Sequence, residues 1–240
     1  MRLPGLPHFQ AMLHLLHHLR CHPTKALKFY RDVTNPPLHK MLQQADLSEV
    51  DCTLCWFTDS SFMDEDDQRS TGSHMGFLQG GCIDFSSFVP LPIAQSTAEA
   101  ETNALCIGSM RSAHVRQGIM KIVTGDSSAP YTVPIFTDSS AAEAISKNDR
   151  DTKRTRHIDR RFQYARHARK SGHISVHHVN GDTYQLADLG TKNVPTEEAS
   201  YKLSIIEAPS TDNAIVNNRR GVTEDENTSS LKARQASDLK

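Results

Sequence analysis

The chain has 240 residues, of which 27 are Lys or Arg and 28 are Asp or Glu, so its formal charge is −1. This balance excludes a uniformly basic nucleic-acid-binding protein and an acidic solvating protein. The length fits one domain with attached segments. The mean hydropathy is −0.51. Since no apolar run approaches the ~20 residues that a membrane span needs, we expect no membrane partner.

The cysteines are few and odd in number, which fits a reducing compartment better than a disulfide framework. The N-terminus lacks the apolar stretch of a secretory signal, so we expect an intracellular protein. Cys52 and Cys55 have the spacing of a zinc-binding pair. They lie in an apolar run with no second pair, so we favour buried strand cysteines over a zinc site.

The first predicted element is an amphipathic helix between residues 7 and 23, where apolar residues recur at steps of three and four. His14 and His18 lie on one face of this helix. Because no carboxylate or cysteine joins them, we favour a partly solvated face over a metal site. A proline-containing linker follows at residues 35–37. We therefore treat residues 1–48 as a helical connecting segment.

From residue 50 the pattern changes to short β-rich runs that alternate with helical patterns. The first three runs predict an antiparallel meander with Gly80 and Gly81 at a turn. In chain order, the predicted elements are strands at 50–58, 72–78 and 82–86, a helix at 94–120, a strand at 131–137, helices at 140–147 and 155–170, a strand at 174–179, and a final helix opening near residue 182. This order predicts a mixed α/β layer fold.

The composition changes again near residue 207, after which Asn, Ser, Thr, Asp, Arg and Lys dominate and no aromatic residue occurs. Such a segment buries too little apolar area to offset its chain entropy. We expect residues 207–240 to form a disordered tail.

One pentapeptide, Phe-Thr-Asp-Ser-Ser, occurs twice, at residues 57–61 and 136–140. Each copy closes a predicted strand, so each places one aspartate, Asp59 or Asp138, where α/β sheets commonly bind ligands. Simple turn chemistry, in which Asp and Ser end strands, is an equally good explanation of the repeat taken alone.

The long helix offers two further acids, Glu99 and Glu101. Glu101 shares a helical face with small and apolar residues, whereas Glu99 lies on a more polar stripe. We therefore predict that Glu101 faces the sheet and that Glu99 is solvated. A carboxylate on an apolar face needs a partner, and a metal ion is one of the few good ones. The residues that share the face of Glu101 are Ala98, Ala104, Leu105 and Gly108.

A fourth acid, Asp188, lies in the first turns of the final predicted helix, beside apolar neighbours. The pattern alone favours an acid that stabilises the helix N-terminus by roughly 0.3–1 kcal/mol. On this basis Asp188 has no predicted role in a metal site.

Four motifs carry a resemblance to a known family. In this sequence they are Asp-Asp-Gln-Arg-Ser-Thr-Gly at 66–72, Ser-Thr-Ala-Glu-Ala-Glu at 96–101, Thr-Arg-His-Ile-Asp at 155–159, and Gln-Leu-Ala-Asp-Leu at 185–189 followed by Thr191 and Lys192. Their order and spacing resemble the ribonuclease H region that closes the polyprotein of copia-type (Ty1/copia) retrotransposons. The match covers about residues 50–206. The N-terminal helix resembles the segment that joins this region to the reverse transcriptase.

The resemblance implies a ribonuclease H-like α/β fold over residues 49–206, with a five-stranded mixed sheet flanked by helices. It implies cleavage of the RNA strand of an RNA–DNA hybrid by a two-metal mechanism with Mg2+, or alternatively Mn2+. The implied metal-binding and catalytic carboxylates are Asp59, Glu101, Asp138 and Asp188. For Asp188 the resemblance reverses the interpretation drawn from the pattern.

The charge along the chain is uneven. Residues 149–170 contain nine Lys or Arg against three Asp, a local charge of +6. Beside a nuclease site, we favour phosphate binding over a merely solvated helix face. The candidate nucleic-acid-binding residues are Lys153, Arg154, Arg156, Arg160 and Arg161.

The sequence also departs from the family pattern. Thr102 and Asn103 stand where an aromatic and an aliphatic residue are usual, and Ser61 stands where a second Asp often follows the first. No histidine lies at 180–184, where some retroviral relatives carry a catalytic one, and His178 is a weak substitute. The alternative function is therefore a catalytically inactive retrotransposon remnant that only binds nucleic acid.

No reverse-transcriptase, integrase or protease motif is present, so we expect a fragment of a polyprotein. A reverse transcriptase acting in trans is then a further candidate partner beside the hybrid. Cytoplasm, nucleus and virus-like particle fit this expectation equally well.

Overall fold

The structure is a computed structural model that describes residues 5–21, 26–30, 36–63, 69–90, 93–148 and 163–207. The chain divides into two compact units, one formed by residues 1–27 with 207–240 and the other by residues 28–206. In the first unit, helix α1 (Leu6–Cys21) has no buried residue. None of the helices in the described ranges has the length and apolar character needed to cross a bilayer.

The second unit is built on one five-stranded sheet. Its strands are β1 (Leu54–Ser61), β2 (Thr71–Leu78), β3 (Gly81–Phe88), β4 (Val133–Thr137) and β5 (Ile174–His178), in the order β3-β2-β1-β4-β5. The first three strands form an antiparallel meander, while β4 and β5 join in parallel. The predicted α/β architecture, a five-stranded mixed sheet flanked by helices, is confirmed.

Helices cover both faces of this sheet. They are α2 (Pro37–Gln44), α3 (Thr97–Thr124), α4 (Ser140–Lys147), α5 (Tyr164–Lys170), α6 (Gly181–Tyr184) and α7 (Thr196–Ile206), with a 3-10 helix at Leu186–Gly190. Side chains of β1 alternate between the two faces. Leu54 and Trp56 pack with α3, α4 and α5, whereas Cys55 and Phe57 pack with α2, α7 and the 3-10 helix.

Helix α2 belongs to the core of this unit. Its Leu38, Met41 and Leu42 are each 1% exposed and pack in the same cluster as Phe57. Their spacing of three and four residues places them on one face of the helix. The structural division therefore falls at residue 28, and α2, which lies in the predicted connecting segment 1–48, packs with the sheet.

The two copies of the repeated pentapeptide lie side by side in the sheet. Phe57 of β1 pairs with Phe136 of β4 in a parallel register. Two residues further along each strand, the same register brings Asp59 and Asp138 next to each other. Because side chains alternate along a strand, both point to the face that carries the 3-10 helix. Strand β1 continues to Ser61 because β2 pairs with it there.

Helix α3 approaches β1 closely at Gly108, where a Cβ atom would collide with the methyl group of Thr58. The helix begins after Ser96, whose hydroxyl accepts a hydrogen bond from the Glu99 amide at 3.2 Å. It ends at Gly125, which adopts a left-handed conformation with φ of 77°. Gly108 therefore sets how closely α3, which carries Glu101, approaches the sheet. Ser96 and Gly125 set where this helix begins and ends.

Asn103, on the buried face of α3, is expected to lower the stability of the fold. It is 0% exposed, and neither its amide nitrogen nor its oxygen has a hydrogen-bond partner among the described residues. A buried unpaired amide costs about 1–3 kcal/mol. We expect Asn103→Leu to raise the free energy of unfolding by about 1–2 kcal/mol in urea melts. A loss of stability would instead show that the amide is satisfied in solution.

Candidate metal centre

Three aspartates from three elements converge at one end of the sheet. Asp59 lies in β1, Asp138 follows the end of β4, and Asp188 lies in the 3-10 helix. One carboxylate oxygen of each lies within 4.8 Å of the others. Asp59 is 1% exposed and Asp188 is 2% exposed, whereas Asp138 is half-buried. Water therefore compensates little of this concentrated negative charge.

Glu101 joins the group from α3, which packs on the opposite face of the sheet. Burial, together with the charges of Asp59 and Asp138, raises the pKa of its carboxyl group to about 9. The Ser60 hydroxyl and Lys192 act in the opposite direction. Its Oε2 atom is buried without a hydrogen-bond partner among the described residues. Glu101 thus adds a fourth carboxylate to the electrostatic site, although it lies outside the cluster of three.

The prediction that Glu99 is solvated is wrong. Glu99 is 5% exposed, and its Oε2 accepts a hydrogen bond from the Gln95 amide at 2.8 Å. This contact closes the first turn of α3 together with the Ser96 cap. The polar residues misled the prediction, because the whole stripe that Glu99 shares with Thr102, Asn103 and Cys106 is buried.

The pKa of Asp59 is also raised by its place in the acid cluster. Burial, together with the charges of Asp188 and Asp138, raises the pKa of its carboxyl group to about 7. A hydrogen bond from the Thr191 hydroxyl to Oδ2 and the charge of Lys192 oppose it. The group therefore needs a cation to ionise fully at neutral pH.

The 3-10 helix is held against β1 by the buried side chain of Gln185. Its Nε2 donates to the Thr58 carbonyl at 2.9 Å, and its Oε1 accepts from the Ala187 amide at 3.3 Å. Thr58 directly precedes Asp59 in β1. This single amide therefore fixes the position of Asp188 relative to Asp59 across 127 residues of chain.

Two lysines pair with Asp188, one at each carboxylate oxygen. Lys192 Nζ lies 2.7 Å from Oδ1 and 4.0 Å from Asp59 Oδ2. Lys202 Nζ lies 2.7 Å from Oδ2, and it also contacts Glu198. Lys202 is 0% exposed, whereas the side chain of Lys192 is 45% exposed. Lys202 thus holds Asp188 from within the core, and Lys192 reaches it from solvent.

Sequence reasoning assigned no role to Gln185, Thr191, Lys192 or Lys202. The first three lie in or beside the motif at 185–189. Their closeness to this motif is a sequence feature that could have identified them as site residues. Lys202 lies four residues after Glu198 on α7, a spacing that also occurs in ordinary surface pairs. No sequence feature distinguishes this buried lysine from an exposed one.

The donor set fits a hard divalent cation. Carboxylate oxygens are the ligands that Mg2+ and Ca2+ prefer, and ligands on opposite sides of such an ion lie about 4–5 Å apart. The cluster of Asp59, Asp138 and Asp188 has this spacing. The orphaned Oε2 of Glu101 is a buried acceptor that a cation would satisfy. The roles of these four acids as metal ligands remain predictions.

The five candidate nucleic-acid-binding residues lie outside the described residues. In the described part of the basic segment, Arg166 donates to the Ile145 carbonyl at 3.3 Å. Arg169 donates to the Ser146 carbonyl at 3.0 Å. These two arginines therefore tie α5 to the C-terminal end of α4. His178 lies beside the acid cluster, with Nε2 3.0 Å from the Asp138 main-chain oxygen.

Gly181 leaves the space in which the Asp138 carboxylate lies. A Cβ atom at this position would lie 2.6 Å from Asp138 Oδ2 and 3.4 Å from its Cγ. We expect Gly181→Ala to rotate this carboxylate and weaken Mg2+ affinity about tenfold, as loss of an orienting contact does. Isothermal titration with Mg2+ measures the effect.

Gly118→Ala is the matched control, because a Cβ atom there meets nothing within 4 Å. It lies on the exposed part of α3, where alanine is expected to stabilise the helix slightly and leave Mg2+ affinity unchanged. Equal Mg2+ affinities in both variants would contradict the proposed contact between residue 181 and Asp138.

No protein-family model and no curated protein matches the chain. Several solved structures resemble it in fold. The chain is 14% identical to ribonuclease H1 from the halophilic archaeon Halobacterium salinarum, with a TM-score of 0.40 over 57% of this chain and 93% of that one. It is 15% identical to LC11 ribonuclease H1, isolated from compost by a metagenomic approach, with a TM-score of 0.43 over 63% and 99%. It is 13% identical to a foamy viral protease-reverse transcriptase in complex with RNA/DNA hybrid, with a TM-score of 0.44 over 82% and 27%.

Proposed function

We propose that this chain is a divalent-metal-dependent endonuclease that cleaves the RNA strand of an RNA–DNA hybrid. The observation that carries the proposal is the convergence of Asp59, Asp138 and Asp188 within 4.8 Å, with Glu101 coupled to them from α3. Four buried or half-buried carboxylates in one place are costly unless a cation compensates them. The ribonuclease H-like sheet and the four family motifs support the choice of substrate.

The four acids would hold Mg2+, or Mn2+ in its place. Two such ions, when bound, would activate the attacking water and stabilise the leaving oxygen of a phosphodiester. Around them, Thr191 orients Asp59 through its hydrogen bond to Oδ2, and Lys202 orients Asp188 from within the core. Gln185 fixes the position of Asp188 relative to Asp59 through its hydrogen bond to the Thr58 carbonyl. The half-buried Asp138 is the most accessible of the three clustered acids, so it would be the one closest to the substrate.

The finer context of the proposal rests on the sequence resemblance. Residues 49–206 would be the nuclease domain of a copia-type retrotransposon polyprotein, and residues 1–48 would be the end of its connecting region. Except for Glu207, the predicted tail at 207–240 lies outside the described residues. The basic residues between 153 and 161 would contact the phosphates of the hybrid, and a reverse transcriptase would act in trans.

The test uses a hybrid whose RNA strand carries a 5′ label, incubated with the full chain and Mg2+. We expect internal cleavage of the labelled RNA in the hybrid, with no cleavage when EDTA replaces the metal. The same RNA as a single strand or in an RNA–RNA duplex is expected to be cut far more slowly. Equal cleavage of all three substrates would contradict hybrid specificity, and no cleavage with either Mg2+ or Mn2+ would contradict the enzyme.

The alternative is a catalytically inactive remnant that binds nucleic acid only. The pairing of both Asp188 oxygens with lysine ammonium groups favours it, because the site already contains cations. In this case the wild-type chain is expected to bind the hybrid without cleaving it. Mg2+ would then leave the melting temperature unchanged.

Lys192→Met tests whether this lysine competes with a divalent cation for the acid cluster. Lys192 lies between Asp188 and Asp59, so its charge competes with any divalent cation at these oxygens. Removal of one unit charge at about 4 Å is worth a few kcal/mol at the effective dielectric of a protein surface. We expect Mg2+ affinity to rise about tenfold or more in calorimetric titration. Lys40→Met, which removes an exposed lysine on α2, is the control and is expected to have no effect.

A further inference from the structure

A polar cavity lies at the end of the sheet opposite the acid cluster. It has a volume of about 310 Å3 and lies where β4 and β5 begin. Asp138 follows the other end of β4, which has five residues and therefore a length of roughly 16 Å. The cavity is lined by Arg116, Ser128, Pro130, Tyr131, Thr132, Ser171, Gly172 and His173.

The base of this cavity contains a buried cation. Arg116 is 6% exposed, and its Nε and Nη2 donate to the carbonyls of Tyr131 at 2.7 Å and Ala129 at 2.8 Å. Within the described ranges, no carboxylate pairs with it. By contrast, Arg111, five residues earlier on α3, pairs with Asp84 at 2.7 Å. Neutral carbonyls orient the guanidinium but leave its buried charge uncompensated, which is costly.

The rim of the cavity supplies further polar groups. Exposed hydroxyl side chains of Ser128, Thr132 and Ser171 line it beside the ring of His173. The nearest acid along the chain, Asp126, does not line the cavity, and its Oδ1 accepts from the Ser128 amide at 2.8 Å and from the Ser128 hydroxyl at 2.7 Å. The lining therefore combines one cation with neutral polar groups and contains no acid.

We propose that this cavity binds an oxyanion of the phosphate class, with Arg116 as the charged contact. The two hydrogen bonds to carbonyl oxygens fix the plane of the guanidinium group. Among the described residues they leave both N–H donors of Nη1 available for a ligand. Planar guanidinium groups recognise phosphate by charge-assisted hydrogen bonds. The bound anion would compensate the buried positive charge of Arg116, which no carboxylate of the described residues pairs with. The site does not depend on the proposed nuclease activity.

The first experiment measures the melting temperature of the full chain in sodium phosphate, against sodium chloride at matched ionic strength and with EDTA present. We expect phosphate to raise the melting temperature by about 3–6 °C at a tenfold excess over its dissociation constant. Chloride is expected to have no comparable effect. The proposal is wrong if phosphate and chloride shift the melting temperature equally.

Two variants assign the effect to the cavity. Arg116→Gln is expected to abolish the response to phosphate, but it also loses bonds to two carbonyls and so lowers stability by itself. Ser171→Asp avoids this difficulty because it places a carboxylate at the rim, where it serves as an internal counter-ion. We expect it to raise the melting temperature in chloride and to remove the response to phosphate. A normal response in Ser171→Asp would overturn the proposal.

Ser200→Asp, an equal charge change at an exposed position on α7, is the control and is expected to respond as the wild type does. A second arm identifies the source of the phosphate group. Fluorescence anisotropy of a labelled RNA–DNA hybrid in EDTA is compared between the wild type and Ser171→Asp. A fivefold or greater loss of affinity assigns the site to the nucleic-acid backbone, whereas unchanged affinity assigns it to a free phosphate or phosphate monoester.

Discussion

Asp138→Asn is expected to lower the rate of hybrid cleavage by about 10³-fold or more while leaving the fold intact. The substitution keeps the shape of the side chain but removes one of the charges that would hold the cations. Loss of such a ligand removes several kcal/mol of transition-state stabilisation. The measurement is single-turnover cleavage of the labelled hybrid at saturating protein.

Asp46→Asn is the matched control for this substitution. Asp46 is exposed, lies outside the acid cluster, and has a φ of 60°, a conformation that Asn also tolerates. We expect its cleavage rate to equal that of the wild type. If Asp138→Asn cleaves as fast as Asp46→Asn, the observed activity does not come from the acid cluster, and the assignment of the catalytic centre is wrong.

Glu101→Gln is expected to stabilise the metal-free protein at high pH. The pKa of Glu101 is raised to about 9 and that of Asp59 to about 7. Unfolded carboxyl groups ionise near pH 4. Between these values the folded state retains protons that the unfolded state has lost, so the free energy of unfolding falls as pH rises from about 4 to about 9. The uncharged glutamine avoids the Glu101 part of this loss.

Urea unfolding in EDTA across this pH range tests the prediction. At pH 8 we expect Glu101→Gln to be more stable than the wild type by about 2 kcal/mol or more, and at pH 4 we expect the two to be equal. Saturating Mg2+ is expected to reverse the order at pH 8, because a cation stabilises only the ionised site. A constant difference between the two proteins at all pH values would show that titration of Glu101 is not its cause.

Much of the site follows from local sequence. The repeated pentapeptide indicates Asp59 and Asp138, because two identical strand ends in a parallel pair place identical residues together. The small residues around Glu101 predict a close helix, and Gly108 shows the physical basis of that approach. In these cases the information lies in a few adjacent residues and in a regular period.

Other parts of the site depend on distant contacts that no period reveals. Asp188 gains its position from the bond between Gln185 and Thr58, so the pattern alone favoured a simple helix-terminus acid. Helix α2 has a clear apolar face, yet nothing in its sequence shows that Phe57 will cover it. The burial of Lys202 likewise depends on its pairing with Asp188, which becomes possible only after the sheet has formed.

The parallel register of β1 and β4 has a consequence for protein engineering. Since successive side chains of a strand point to opposite faces, one residue inserted between Phe57 and Asp59 would leave the aromatic pair in place. The carboxylate, however, would then point towards α3 and away from Asp138. Such a chain would retain its core and lose its metal affinity, so a folded sheet alone is no measure of an intact centre. The spacing between Phe57 and Asp59 is therefore required for metal binding but not for stability. A single insertion would distinguish these two requirements.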